Sequence, residues 1–71
     1  MDSEMKKLDI LLDYTINHNS EHAEELKDLA QKAMELGKTA AYDELMRGVE
    51  QMNEANETLA SALKKLREQE G

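Results

Sequence analysis

Glu35-Leu36-Gly37-Lys38-Thr39 divides the chain into two halves of matching pattern and decides the fold. Proline is absent and glycine occurs only at 37, 48 and 71. Of these, Gly37 alone stands where a helix should end. A glycine just past a helix takes the left-handed backbone at low steric cost. Thr39 then serves as the expected N-cap of a second helix, with Asp43 and Glu44 in its first turns, where acidic groups favour the helix dipole.

Outward from this turn the apolar spacing is that of a coiled-coil seam. On the N-terminal side, Leu8, Leu12, Thr15, Asn19, His22, Leu26, Leu29, Ala33 and Leu36 follow at alternating steps of four and three. On the C-terminal side, Tyr42, Leu45, Val49, Met52, Asn56, Leu59, Leu63 and Leu66 do the same. The expected fold is all-α, an antiparallel two-helix hairpin: helix 1 over about 4–36, a turn at 37–39, helix 2 over about 40–69. Each helix should run about 45 Å at 1.5 Å per residue. A break at Asn17-His18-Asn19-Ser20 would give three helices instead, but the seam keeps its phase through that stretch, which favours one continuous helix.

Small residues flank the seams. Ala41, Gly48, Ala55 and Ala62 recur every seven residues on the second helix, and Ile16, Ala23, Ala30 and Gly37 do so on the first with one large exception. Gly48 should cost about 1 kcal/mol relative to alanine, which close helix approach would offset. Ile10, Leu11, Tyr14, Met34 and Met46 lie off the main seam. Pairing two hairpins into a four-helix bundle would cover many of them, so a homodimer is expected.

Composition narrows the function. Seventy-one residues suit a single domain, 1–71, with a marginal core unless it is idealised or oligomeric. Without cysteine there is neither a disulfide nor a thiolate site. Sixteen acidic against nine basic residues give a net charge of −7, which repels the phosphate backbone and argues against nucleic acid. Two tyrosines, with no tryptophan or phenylalanine, supply no stacking platform for bases. The start Met1-Asp2-Ser3-Glu4 is acidic where a signal peptide is basic, and no apolar run reaches the roughly 18 residues of a membrane span. A cytoplasmic protein with no membrane contact is the expectation.

The polar interruption of the first seam is where chemistry is hinted. Thr15, Asn19 and His22 are consecutive seam positions, and if paired positions sum to about 76, Asn19 and His22 meet Asn53, Asn56 and Glu57. One reading is a hydrogen-bonded layer that sets register and oligomeric state. The other uses His18 and His22, the only histidines, which lie four apart on one helical face with Glu21 and Glu25 on or near that side. Two imidazoles and a carboxylate suit a divalent first-row transition metal such as Ni, Zn, Co or Fe. Asn19, Asn53 or Asn56 would then orient the imidazoles.

His18-Asn19-Ser20-Glu21-His22 also has the form H-x-x-E-H of the inverted zinc peptidases. A short hairpin has no substrate cleft, and no Ser-His-Asp set, phosphate loop or buried carboxylate pair can be assembled, so an enzyme is not expected. The longer stretch from His18 to Leu26, with Leu11-Leu12 before it and Asn53–Asn56 and Leu59–Leu63 on the second helix, resembles a small helical domain family with an HN-x-x-HAEE signature. The resemblance implies anaerobic bacteria and archaea, sometimes beside nickel- or cobalt-handling accessory proteins, and a site joining His18, Asn19, His22 and Glu25. Asn17 and Tyr14 depart from that pattern. Two function classes follow: a metal-binding accessory or storage module, and a structural or protein-interaction module without a ligand.

Overall fold

In the computed structural model, which describes residues 3–68, two helices pack side by side: α1 (Ser3–Glu35) and α2 (Thr39–Glu68). They form a rod of 54 × 15 × 10 Å. Helix α1 passes through Asn17-His18-Asn19-Ser20 without a break, so the three-helix alternative is set aside. The ends expected at 4, 36 and 40 shift by one residue each, and position 69 lies outside the described residues.

The turn forms because Gly37 takes a φ of +75°, in the left-handed region. Its N–H donates to the Met34 carbonyl (3.0 Å) and the Lys38 N–H to the Ala33 carbonyl (2.8 Å), the paired bonds of a Schellman closure. The Lys38 carbonyl then accepts the Tyr42 N–H (3.0 Å), which makes Lys38 the N-cap position. This corrects the assignment of that role to Thr39, the first helical residue. The closure already fixes Lys38, so the chain enters α2 one residue early, and Asp43 and Glu44 fall beyond its first turn.

Helix α2 buries the expected seam, with Val49, Asn56 and Leu63 buried and Tyr42, Leu45, Met52, Leu59 and Leu66 half-buried. On α1 the expected seam is wrong by a rotation of roughly 60° at 100° per residue. The residues facing α2 are Met5, Asp9, Leu12, Ile16, Asn19, Ala23, Leu26, Ala30 and Ala33, again at steps of four and three. Leu12, Asn19, Leu26 and Ala33 belong to both seams. Leu8, Thr15, His22, Leu29 and Leu36 are exposed instead.

Size complementarity explains the rotation. Ala23 and Ala30, at 3% and 0% exposure, let the Val, Met and Leu side chains of α2 seat between them, large against small. Turning the leucine stripe inward would set large residues against large and push the axes apart. Gly48 has no part in this approach, because a Cβ there would meet nothing within 4 Å.

At the open end, Arg67 donates two hydrogen bonds to the Asp9 carboxylate, Nε to Oδ2 at 2.8 Å and an Nη to Oδ1 at 2.9 Å. These bonds hold the Asp9 carboxyl below its ordinary value and raise Arg67. A depressed carboxyl adds stability above its unfolded pKa of about 3.9 and loses it as pH falls through the folded value. Parallel thermal melts of wild type and Asp9→Asn should therefore show a small advantage for wild type at pH 7 that vanishes in the acid range below about pH 4. An advantage independent of pH would show that the carboxylate charge is not its source.

Candidate functional site

Two polar features lie at mid-length on α1, and they face different ways. The inner one is a hydrogen-bonded layer centred on Asn56, which is 8% exposed. The Asn56 amide nitrogen donates to the Ile16 carbonyl (2.8 Å) and to Ser20 Oγ (3.1 Å). Its amide oxygen accepts from Asn19 Nδ2 (3.0 Å). Among the described residues no buried side-chain nitrogen or oxygen lacks a partner, so the layer is complete without a ligand.

The pairing of 19 and 20 with 56 agrees with the expected sum near 76. The membership of the layer differs from expectation. Thr15 is exposed and its hydroxyl donates to the Leu11 carbonyl (2.9 Å) within its own helix. Asn53 is exposed, and His22 points outward. The rotation of α1 accounts for Thr15 and His22, since both sit on the stripe turned away from α2. Ser20 and the Ile16 carbonyl were missed, although Ser20 pairs with position 56 by that same sum.

The outer feature is a ladder of rings along the exposed face. Tyr14, His18 and His22 follow at intervals of four residues, which places them in line on one side of the helix. Tyr14 stacks on His18 with centroids 5.5 Å apart and planes 13° from parallel. His18 meets His22 edge to face, with centroids 4.4 Å apart. Their Nε2 atoms stand 2.9 Å from each other. On the far side of its ring, His22 Nδ1 lies 3.3 Å from Glu25 Oε1.

These contacts assign the neutral tautomers. His22 Nδ1–H donates to Glu25, which leaves a lone pair on His22 Nε2 to accept from His18 Nε2–H. A carboxylate on the remote nitrogen fixes the tautomer and the orientation of the ring, as it does behind many metal-bound imidazoles. Glu25 is therefore placed to orient His22 rather than to share a point with both Nε2 atoms. Glu21 is exposed. Among the described residues, no group of three His, Asp or Glu side chains converges where one ion could be held. The structure thus brings His18, His22 and Glu25 together in sequence and separates them from the Asn19–Asn56 layer on the inner face. The i,i+4 relation of Tyr14 to His18 was legible and carried the missing member of the ladder.

No described helix is long and apolar enough to cross a membrane. A family model described as a domain of unknown function, DUF8180, matches residues 8–66. No curated protein and no solved structure matches the chain.

Proposed function

We propose that this chain, which belongs to the DUF8180 family, is a non-enzymatic module that binds a divalent first-row transition ion through His18 and His22. The observation that carries this reading is the 2.9 Å separation of the two Nε2 atoms on one exposed helical face. Two nitrogens bound to one ion at about 2.0–2.1 Å stand about 2.9 Å apart at a right angle and about 3.3 Å apart at the tetrahedral angle. A continuous helix holds the pair near this spacing, and an ion would replace the hydrogen bond between the two Nε2 atoms, the His18 proton moving to its Nδ1. Imidazole suits nickel, zinc, cobalt and iron, and the two nitrogens alone do not choose among them.

Isothermal titration of metal-free protein with nickel and, separately, zinc tests the reading. Micromolar or tighter binding is expected near pH 7.5 and should be lost near pH 5, because imidazole protonates around pH 6.5 and a protonated ring is no ligand. Absence of binding at pH 7.5 would overturn it.

A second reading, a protein-interaction module without a ligand, is favoured by the completeness of the Asn19–Ser20–Asn56 layer and by the exposed leucines of α1. Under it the layer sets register alone, both titrations stay silent, and His18 has no role.

A further inference from the structure

We propose that a second copy of this chain completes the site: two hairpins pack face to face about a twofold axis, and His18 and His22 of both copies surround one ion. The inference rests on the metal-binding reading above and adds to it the source of the missing ligands. One chain presents two neighbouring imidazoles and, among its described residues, no third His, Asp or Glu placed to share an ion with them. A closed site for such an ion takes four ligands. Two copies supply four imidazoles.

The exposed stripe of α1 is arranged to meet itself. It runs Leu8, Leu11, Thr15, His18, His22, Glu25, Leu29, Lys32, Leu36, with steps alternating three and four, and so forms a second seam on the outside of the hairpin. Leu8, Leu11, Leu29 and Leu36 on it are all more than half exposed. The point midway between its histidines is residue 20. Leu11 and Leu29 stand at equal distances on either side. An antiparallel twofold through that point sets Leu11 against the partner's Leu29 on both flanks of the histidines. It also sets Thr15 against the partner's Glu25. A parallel pairing would instead face Glu25 with its own copy and Lys32 with its own copy, which like charge disfavours.

Helix α2 accommodates the same axis. Arg67 reaches Asp9 and acts on Asp13, and Asn56 reaches Ser20, so these groups mark one edge of the hairpin. The opposite edge joins the α1 stripe to Ala41, Gly48, Ala55 and Ala62. Within that row Gly48 and Ala62 stand one heptad to either side of Ala55. Across the hairpin, residue 20 is paired with residue 56 through the Ser20–Asn56 bond. A line across the hairpin through residue 20 therefore passes beside Ala55, and a single axis along it puts the histidines together and sets Gly48 against the partner's Ala62. Gly48 gains a reason that the hairpin itself lacks: a Cβ there has open space within one chain, yet would stand near the partner's Ala62.

Area and charge agree with this occupant. A face measuring 54 × 15 Å offers roughly 800 Å² per partner, the amount a stable dimer buries. Each chain carries a formal charge of −7, so two copies repel each other, and a divalent cation between them offsets part of that repulsion.

The test uses zinc as the probe, with sedimentation and native mass spectrometry of the full chain, wild type and Ala55→Arg. Ala55 is exposed and lies on α2, across the hairpin from the imidazoles, so circular dichroism of the variant should match wild type; at the twofold its bulk and charge meet themselves. Expected are one zinc per two wild-type chains, a metal-free dimer weakened at least tenfold, and zinc affinity of Ala55→Arg reduced at least tenfold. One zinc per chain on a monomer, or unchanged zinc affinity in Ala55→Arg, would overturn the shared site and leave the metal reading intact. No zinc bound would overturn both.

Discussion

Asn56→Asp should destabilise the hairpin by about 2–3 kcal/mol at pH 7, the largest loss expected of any isosteric change in the chain. The amide nitrogen of Asn56 donates to the Ile16 carbonyl and to Ser20 Oγ. An oxygen in its place faces the carbonyl oxygen at 2.8 Å with no proton between them. Only the bonds from Asn19 and the Ser20 hydroxyl, both able to donate, would persist. The buried charge would also have no cationic partner, because Asn19, Ser20 and the Ile16 carbonyl are neutral. Its carboxyl would ionise only above the usual range, so the loss should shrink as pH falls toward 4, where a proton restores one donor. Urea unfolding of wild type and variant at pH 7 and pH 4 measures this. A loss equal at both values would show that volume and not the missing donor is responsible. Asn56→Leu removes the donor and acceptor together. It should weaken the preference for one pairing register more than it lowers stability.

His18→Ala should reduce metal affinity at least a hundredfold while leaving the urea midpoint near wild type. The ring lies on the exposed face, against Tyr14 and His22 of its own helix. Its removal takes away one of two convergent nitrogens and no core contact. Glu25→Gln is the informative companion: it spares both Nε2 atoms but removes the carboxylate behind His22, and should cost about tenfold, within the range for groups that orient a ligand. Titration with nickel distinguishes the two. Full affinity in His18→Ala would remove the proposed site. An effect of Glu25→Gln as large as that of His18→Ala would make the carboxylate itself a ligand.

The sequence held the hairpin in two unmistakable signals, the glycine of the turn and the matched lengths of apolar pattern beside it. Helix α2 was legible in detail because it carries only one large apolar stripe. Helix α1 carries two that overlap, sharing Leu12, Asn19, Leu26 and Ala33. A reading by hydrophobicity takes the one richer in leucine. What selects the other is the fit of Ala23 and Ala30 beneath the larger residues of α2, a property of two surfaces that neither helix states alone. Asn19 and Asn56 were found despite this, since Asn19 belongs to both stripes. Thr15 and His22 belong only to the leucine stripe and went outward with it. The histidine pair was legible from spacing, whereas the role of Glu25 behind His22 required the positions of the rings.

The Asp9–Arg67 clasp closes the end of the rod opposite Gly37, so Ser3 and Glu68 lie at one pole, α1 reaching about 7.5 Å beyond α2 at 1.5 Å per residue. A hairpin with both its leads at one pole behaves as a pluggable cartridge. It can be spliced into a surface loop of a host protein, or its ends joined through a short linker into a closed ring, without moving the histidines half a rod away. In such a chimera the two imidazoles would ride at a fixed height above the host surface, set by the rise of α1.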